Sequence, residues 1–230
     1  MIRPGAILFD MDGVLVDVSA SYRVAIQRTV VHFSGKEICF DTISGYKNRG
    51  GLNNDWDLTG AVLKELGLYV ARQEIIDRFQ SYYLGENDNG LINDEEWLPE
   101  KQLLARLEKD YALGIVTGRP RAEAEYVLKR NHAASYFSVL IAMEDTPVER
   151  GKPHPDGILL ALDHLNVRSA VYLGDTIDDI MAAKAAGIMP VGVLTGHVSR
   201  DNQSQLFRTH GAVHTLNSVN EIAEILHETF

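Results

Sequence analysis

Short apolar runs that stop at acidic, hydroxyl or glycine residues set the rhythm of this chain. The first is Ala6-Ile7-Leu8-Phe9, which ends at Asp10-Met11-Asp12-Gly13. A run of that length bounded by turn residues reads as a buried strand. The same form returns at residues 113–117, 139–143, 170–173 and 189–193. Between these runs the apolar spacing predicts helices over 99–109, 121–131, 155–165 and 178–186. Strands that alternate with helices imply right-handed crossovers and a parallel sheet. The tail predicts a helix near 200–209, a short apolar stretch at Ala212-Val213 and a last helix over about 217–227.

Between the first strand and residue 99 the pattern changes. Val24, Ile26, Val30, Val31 and Phe33 predict a helix over 19–33, capped by Ser19 or Ser21. Residues 34–54, broken by Gly35, Gly45, Gly50 and Gly51, read as less regular. Asp55 or Asp57 caps a helix running to about Leu66, and Ile75, Ile76, Phe79, Tyr82 and Tyr83 mark another over 71–84. Residues 85–90 are a turn-rich joint. No clear strand falls within 19–88, so this stretch reads as a helical insert. The expected fold is α/β: a doubly wound, Rossmann-like parallel sheet core of residues 1–17 and 91–230, interrupted by a helical domain of residues 18–90.

Composition narrows the classes. The chain has 230 residues, 45% of them hydrophobic, enough for a sizeable core. Its formal net charge of -10 repels nucleic-acid backbones and anionic lipid, so neither is an expected partner. No apolar run reaches bilayer length, and the short N-terminal run does not read as a signal peptide. The single cysteine, Cys39, forbids an internal disulfide and suits a reducing, cytoplasmic setting. Lying between Ile38 and Phe40, it reads as a small buried hydrophobe.

Asp10 and Asp12 sit at the tip of the first strand, where ligands of open α/β sheets bind. Residue types alone leave the choice between an Asp-Gly turn and a pair of catalytic carboxylates. A calcium loop fails, since counting from Asp10 places Val14 fifth and Ser21 twelfth. Three later segments carry matching chemistry: Thr117-Gly118-Arg119, Gly151-Lys152-Pro153-His154-Pro155 and Gly174-Asp175-Thr176-Ile177-Asp178-Asp179. Singly, Thr117 is a strand end, Lys152 a surface lysine, and Asp175 and Asp178 are helix caps. Arg119 reads either as an anion ligand or as an exposed residue at a helix start, and His154 stays ambiguous. Jointly, all lie on the C-terminal side of parallel strands and form a complete set for phosphoryl transfer. Asp10 can attack phosphorus, Asp12 can move the proton, and Asp175 can join Asp10 in holding Mg²⁺. Thr117 offers a hydroxyl and a backbone N–H, and Lys152 a positive charge, to phosphate oxygens.

These motifs resemble the four of the haloacid dehalogenase-like hydrolases, over roughly residues 5–195. The helical insert resembles the type 1 cap of the phosphoglycolate phosphatase and β-phosphoglucomutase branch. The resemblance implies Asp10 as nucleophile and Asp12 as acid/base, with Thr117 and Lys152 completing the catalytic set. It implies Mg²⁺ on Asp10, the Asp12 carbonyl, Asp175 and Asp179, with Asp178 an alternative to Asp179. Met11, Asp12, Thr117, Gly118 and Lys152 would surround phosphate. Dehalogenase and phosphonatase members lack an acid at the position of Asp12, so the resemblance points to a phosphatase of small phosphorylated metabolites. A phosphomutase and a non-catalytic regulatory protein on the same fold are the alternatives. Response-regulator receivers share Asp, Thr and Lys on a similar sheet but resemble a shorter domain without the insert. In the cap, Arg49, Asn53, Asn54 and Trp56 are the candidates for substrate choice; the competing reading is a solvated loop with Trp56 buried. The physiological substrate and the oligomeric state do not follow from the sequence.

Overall fold

The computed structural model describes residues 5–52, 54–86, 89–195 and 199–228. The chain forms two compact units, one of Met1–Val16 with Trp97–Phe230 and the other of Asp17–Glu96. Its strands are β1 (Ala6–Phe9), β2 (Val16–Asp17), β3 (Glu96–Trp97), β4 (Ala112–Val116), β5 (Val139–Ile141), β6 (Ala170–Gly174), β7 (Met189–Val193) and β8 (His214–Leu216). Its helices are α1 (Tyr22–Ser34), α2 (Phe40–Lys47), α3 (Asp55–Glu65), α4 (Arg72–Tyr83), α5 (Leu103–Leu107), α6 (Arg121–Arg130), α7 (Asp156–Leu165), α8 (Ile177–Ala185) and α9 (Arg200–His210).

The first unit carries a six-stranded sheet in the order β5-β4-β1-β6-β7-β8, and every pairing is parallel. β1, β4 and β6 are buried along their whole length, which is why they read as unbroken apolar runs rather than as alternating ones. β1 lies between β4 and β6 with Phe9 opposite both Ile115 and Leu173. The residues following these three strands therefore emerge side by side. One core cluster joins Leu8, Val116, Ile141 and Tyr172 to Ile158 and Ala161 of α7 and to Ala182 and Ala183 of α8. A second joins Ile177 and Ile180 of α8 to Phe207 of α9. The short strands β2 and β3, which pair with each other, lie where the chain passes from one unit to the other and back.

The second unit is helical. α1 packs against α3 and α4, with Tyr22 stacked on Tyr83 at 4.2 Å between ring centroids and Phe79 at 5.6 Å. Gly35, at φ 66°, ends α1 in the left-handed conformation that a side chain disfavours. Ser21 stands at the start of α1 but does not cap it with its side chain; its hydroxyl donates to Glu95 Oε1 at 2.9 Å. Tyr83 donates to the same oxygen, also at 2.9 Å. Glu95 is thus buried, because two hydroxyls solvate it.

Other departures from the sequence reading have local causes. α2 forms inside the stretch that reads as irregular. Its Thr42, Ser44 and Gly45 are weak helix formers, so packing of Ile43 and Tyr46 decides it. α3 is capped by Asn54, whose Oδ1 accepts from the N–H groups of Trp56 and Asp57, rather than by Asp55 or Asp57. The helix expected over 99–109 shrinks to α5. Asn220 holds the entering chain instead, accepting from Glu100 N–H at 2.8 Å and donating to Leu98 C=O at 3.1 Å. The tail apolar stretch leads into β8, and the last predicted helix is two 3₁₀ segments, Val219–Glu224 and Leu226–Glu228. Cys39 is exposed, not buried, with Sγ 3.3 Å from Thr42 Oγ1 at the start of α2. That contact and the nearby N–H groups of α2 lower its thiol pKa. No helix among the described residues is long and apolar enough to cross a membrane.

Candidate active site

The C-terminal tips of β4, β1 and β6 bring Thr117, Asp10 and Asp175 together. Asp10 follows β1 directly, its N–H donating to Leu173 C=O of β6 at 2.8 Å. The strand ends there because Gly13 turns the chain at φ 74°. A side chain at residue 13 would collide with the Asp175 carboxylate, so glycine is required both by the turn and by that approach. Gly174 plays a similar part, since a Cβ there would strike Asp179.

Oxygens of Asp10, Asp175 and Asp179 lie within 4.8 Å of one another, the only such acidic group among the described residues. Asp178 is buried but is not part of it. Lys152, whose peptide bond to Pro153 is cis, reaches the group from the loop before α7. Its Nζ lies 2.9 Å from Asp10 Oδ1 and 2.6 Å from Asp179 Oδ1. It also donates to the Tyr172 hydroxyl at 2.9 Å and approaches Val116 C=O at 3.4 Å. Lys152 is therefore a buried member of the cluster, not a surface lysine.

Three carboxylates thus meet one ammonium. Burial pushes the Asp10 carboxyl well above its usual range; Lys152 opposes this, while Asp179, Asp12 and Asp175 add to it. Burial works against the charge on Lys152, but Asp10 and Asp179 outweigh it and hold the amine well above the usual lysine range. The excess negative charge and an all-oxygen donor set fit a hard divalent cation.

Asp179 has two tasks. Oδ2 accepts from the Thr176 N–H at 3.0 Å and hydroxyl at 2.7 Å, closing a capping box at the start of α8. Oδ1 faces Lys152 and Tyr172. Tyr172 also donates to Val116 C=O at 2.8 Å, tying the lysine to the end of β4. Sequence reasoning overlooked Tyr172, which sits inside an apolar strand and reads as a core aromatic.

Thr117 is buried at the end of β4. Its N–H is taken by Ile141 C=O at 2.9 Å, which corrects the expectation that this donor serves phosphate. Its Oγ1 accepts from Arg119 N–H at 3.1 Å, leaving the hydroxyl proton to be donated elsewhere. Gly118 is exposed beside it, and Met11 is wholly buried, its C=O accepting from Leu15 and Val16. Arg119 is not exposed: its side chain is fully buried and donates to Asp12 Oδ1 from Nε at 2.9 Å and from Nη2. His154 is half-buried and lies 3.4 Å from Asp156, which Arg150 grips with two hydrogen bonds.

In the helical unit, Arg49 is exposed and lies over the Tyr46 ring at 4.9 Å from its centroid. Asn54 is committed to capping α3, and Trp56 is buried with Arg72 over its ring at 5.6 Å. Asn53 lies outside the described residues. Lys47 pairs with Asp55 at 2.9 Å.

The sequence profile of the haloacid dehalogenase-like hydrolases matches residues 7–193. An imidazoleglycerol-phosphate dehydratase of Phytophthora nicotianae is 40% identical over 200 residues, 83% of this chain but 43% of that protein. The chain thus spans less than half of that relative. A plasmid phosphoglycolate phosphatase of Cupriavidus necator is 31% identical over 80% of this chain and 78% of its own length. Among solved structures, a haloacid dehalogenase-like family hydrolase of Streptococcus pneumoniae superposes with a TM-score of 0.76 at 21% identity. It covers 96% of this chain and 97% of that one, and shows the shared fold.

Proposed function

This chain belongs to the haloacid dehalogenase-like hydrolase family, and from that premise we propose that it hydrolyses small phosphate monoesters through an aspartyl phosphate on Asp10. The observation that carries the reading is Asp10 itself: a buried carboxylate at the tip of β1, paired with Lys152 and flanked by Asp175. The phosphatase named among the relatives supports it.

Asp10 and Asp175, with the Asp12 carbonyl, would hold Mg²⁺. Bound there, the ion supplies positive charge that offsets the repulsion between carboxylate and phosphate. Thr117 donates its hydroxyl proton to a phosphate oxygen, and Lys152 faces the same group with its ammonium. An Asp10 carboxylate oxygen forms a bond to phosphorus as the ester P–O bond breaks, and Asp12 gives its proton to the departing oxygen. Water then bonds to phosphorus while Asp12 takes its proton. The Asp10–phosphorus bond breaks, inorganic phosphate leaves and the Asp10 carboxylate is restored. Asp179, whose oxygens stand with those of Asp10 and Asp175, would support the ion while it anchors Lys152 and caps α8.

We assign substrate choice to the helical insertion, residues 18–90, where Arg49 is the exposed cation of the candidate set. The single exposed thiol suits a reducing, cytoplasmic setting. The test is phosphate release from a panel of phosphoglycolate, sugar phosphates, nucleotides and p-nitrophenyl phosphate with Mg²⁺. Release by wild type and none by Asp10→Asn is the expected result. Isomerised hexose phosphate without released phosphate would replace hydrolysis by phosphomutase chemistry, and an inert wild type would overturn the enzymatic reading.

A further inference from the structure

We propose that Arg119 is a positioning residue for Asp12, fixing one carboxylate oxygen so that the other carries the proton. The proposal rests on the phosphatase reading above. Two hydrogen bonds from the guanidinium, through Nε at 2.9 Å and through Nη2, end on Oδ1 of Asp12. Among the described residues Oδ2 of Asp12 accepts none, and the side chain keeps 25% of its exposure while that of Arg119 has none. The carboxylate is thus held at one oxygen and remains partly exposed. A buried guanidinium needs a fixed acceptor, and its planar fork sets direction as well as distance.

The backbone makes the grip rigid. Arg119 donates its N–H to Thr117 Oγ1 at 3.1 Å, and its C=O accepts from Met143 N–H at 3.1 Å. One turn therefore orients both the Thr117 hydroxyl and, 107 residues away in sequence, the Asp12 carboxylate. The complete burial of the Arg119 side chain separates this role from that of a phosphate ligand: the guanidinium is presented to Asp12 and not to solvent.

A proton donor displaced by about 1 Å loses on the order of 100-fold in rate. Arg119→Gln should therefore lower kcat by about that factor with KM close to wild type. Arg119→Lys keeps the charge but lacks the fork, and should lie between the two, roughly 10-fold down. In single-turnover measurements in an Asp12→Asn background, Arg119→Gln should cost no more than about twofold further, because the group it positions is gone. A higher KM with kcat intact would make Arg119 a substrate ligand and overturn the proposal. Equal losses in the wild-type and Asp12→Asn backgrounds would reduce it to a structural residue, with the same effect. If Arg119→Gln does not fold, Arg119→Lys decides: a kcat loss at unchanged KM supports the role, and unchanged kcat refutes it. An active wild type with an unaffected Arg119→Gln variant defeats this inference alone, whereas an inert wild type defeats the phosphatase reading and this inference with it.

Discussion

Replacing Tyr172 with phenylalanine removes one oxygen from the centre of the site and almost no volume. That hydroxyl accepts from Lys152 at 2.9 Å, donates to Val116 C=O at 2.8 Å and lies 3.3 Å from Asp179 Oδ1. A hydrogen bond to a charged group contributes about 1.5–3 kcal/mol, and a neutral one about 1 kcal/mol. The loss is limited, however, because Lys152 keeps Asp10 at 2.9 Å and Asp179 at 2.6 Å. Val116 C=O also keeps a distant donor in Lys152 at 3.4 Å. The isosteric ring leaves no cavity. We expect Tyr172→Phe to cost about 2 kcal/mol. For a chain of this size about 2–4 °C is lost per kcal/mol, so Tm should fall by roughly 4–8 °C. Differential scanning calorimetry and urea unfolding at constant m would measure it. In a Lys152→Met background the same change should cost roughly half as much, since the charged bond to Lys152 is already gone. A Tm change under about 1 °C, or an equal cost in both backgrounds, would refute the claim that this hydroxyl ties the lysine to β4.

Asp10→Asn and Asp12→Asn should fail differently. The first should form no phosphoenzyme in acid-quench or fluoride-trapping experiments. The second should still bind substrate and Mg²⁺ but turn over on the order of 100-fold or more slowly, as expected for loss of a proton carrier. Mg²⁺ should raise the wild-type Tm by relieving the excess of carboxylates, with about 2.7 kcal/mol gained at 100 times its Kd. EDTA should reverse that gain, and Asp175→Asn should largely abolish it; an unchanged Tm would argue against the cation site. Gly13→Ala should be destabilised by about 1–3 kcal/mol for its positive φ alone, and should also lose activity because the new Cβ displaces Asp175. Retained activity would show that Asp175 is free to move. Native protein should react rapidly with one equivalent of Ellman's reagent at Cys39, and Cys39→Ser should not react; slow labelling would contradict the exposure of that thiol.

The parts of the fold that could be read from the sequence are those in which one local pattern carries the information. β1, β4 and β6 are buried on both faces, so their apolar runs are unbroken, and the residue that ends each run is the one the site uses. Asp10, Thr117 and Asp175 were accessible to reasoning because a parallel sheet puts all its C-terminal tips on one edge. What escaped was pairing between distant residues. Nothing near Arg119 announces that it will be buried, since its partner Asp12 is 107 residues away. Nothing near Tyr172 distinguishes a core aromatic from one whose hydroxyl carries a lysine 20 residues before it. Cys39 misled for a related reason: its apolar neighbours Ile38 and Phe40 are themselves only partly buried at the start of α2. In each case the decisive quantity is the free energy of desolvating a polar group, which depends on what the folded chain places beside it. Arg119, whose role the sequence leaves open, and Tyr172, which it does not mark, also share a position in the design. Neither occupies a place assigned to phosphate, and each holds a residue to which the proposed mechanism gives a role. Motifs in sequence mark the reacting groups, while the residues that aim them are set by packing behind the strand tips. Variants of Arg119 and Tyr172 should accordingly change rates and stability more than they change affinity for substrate.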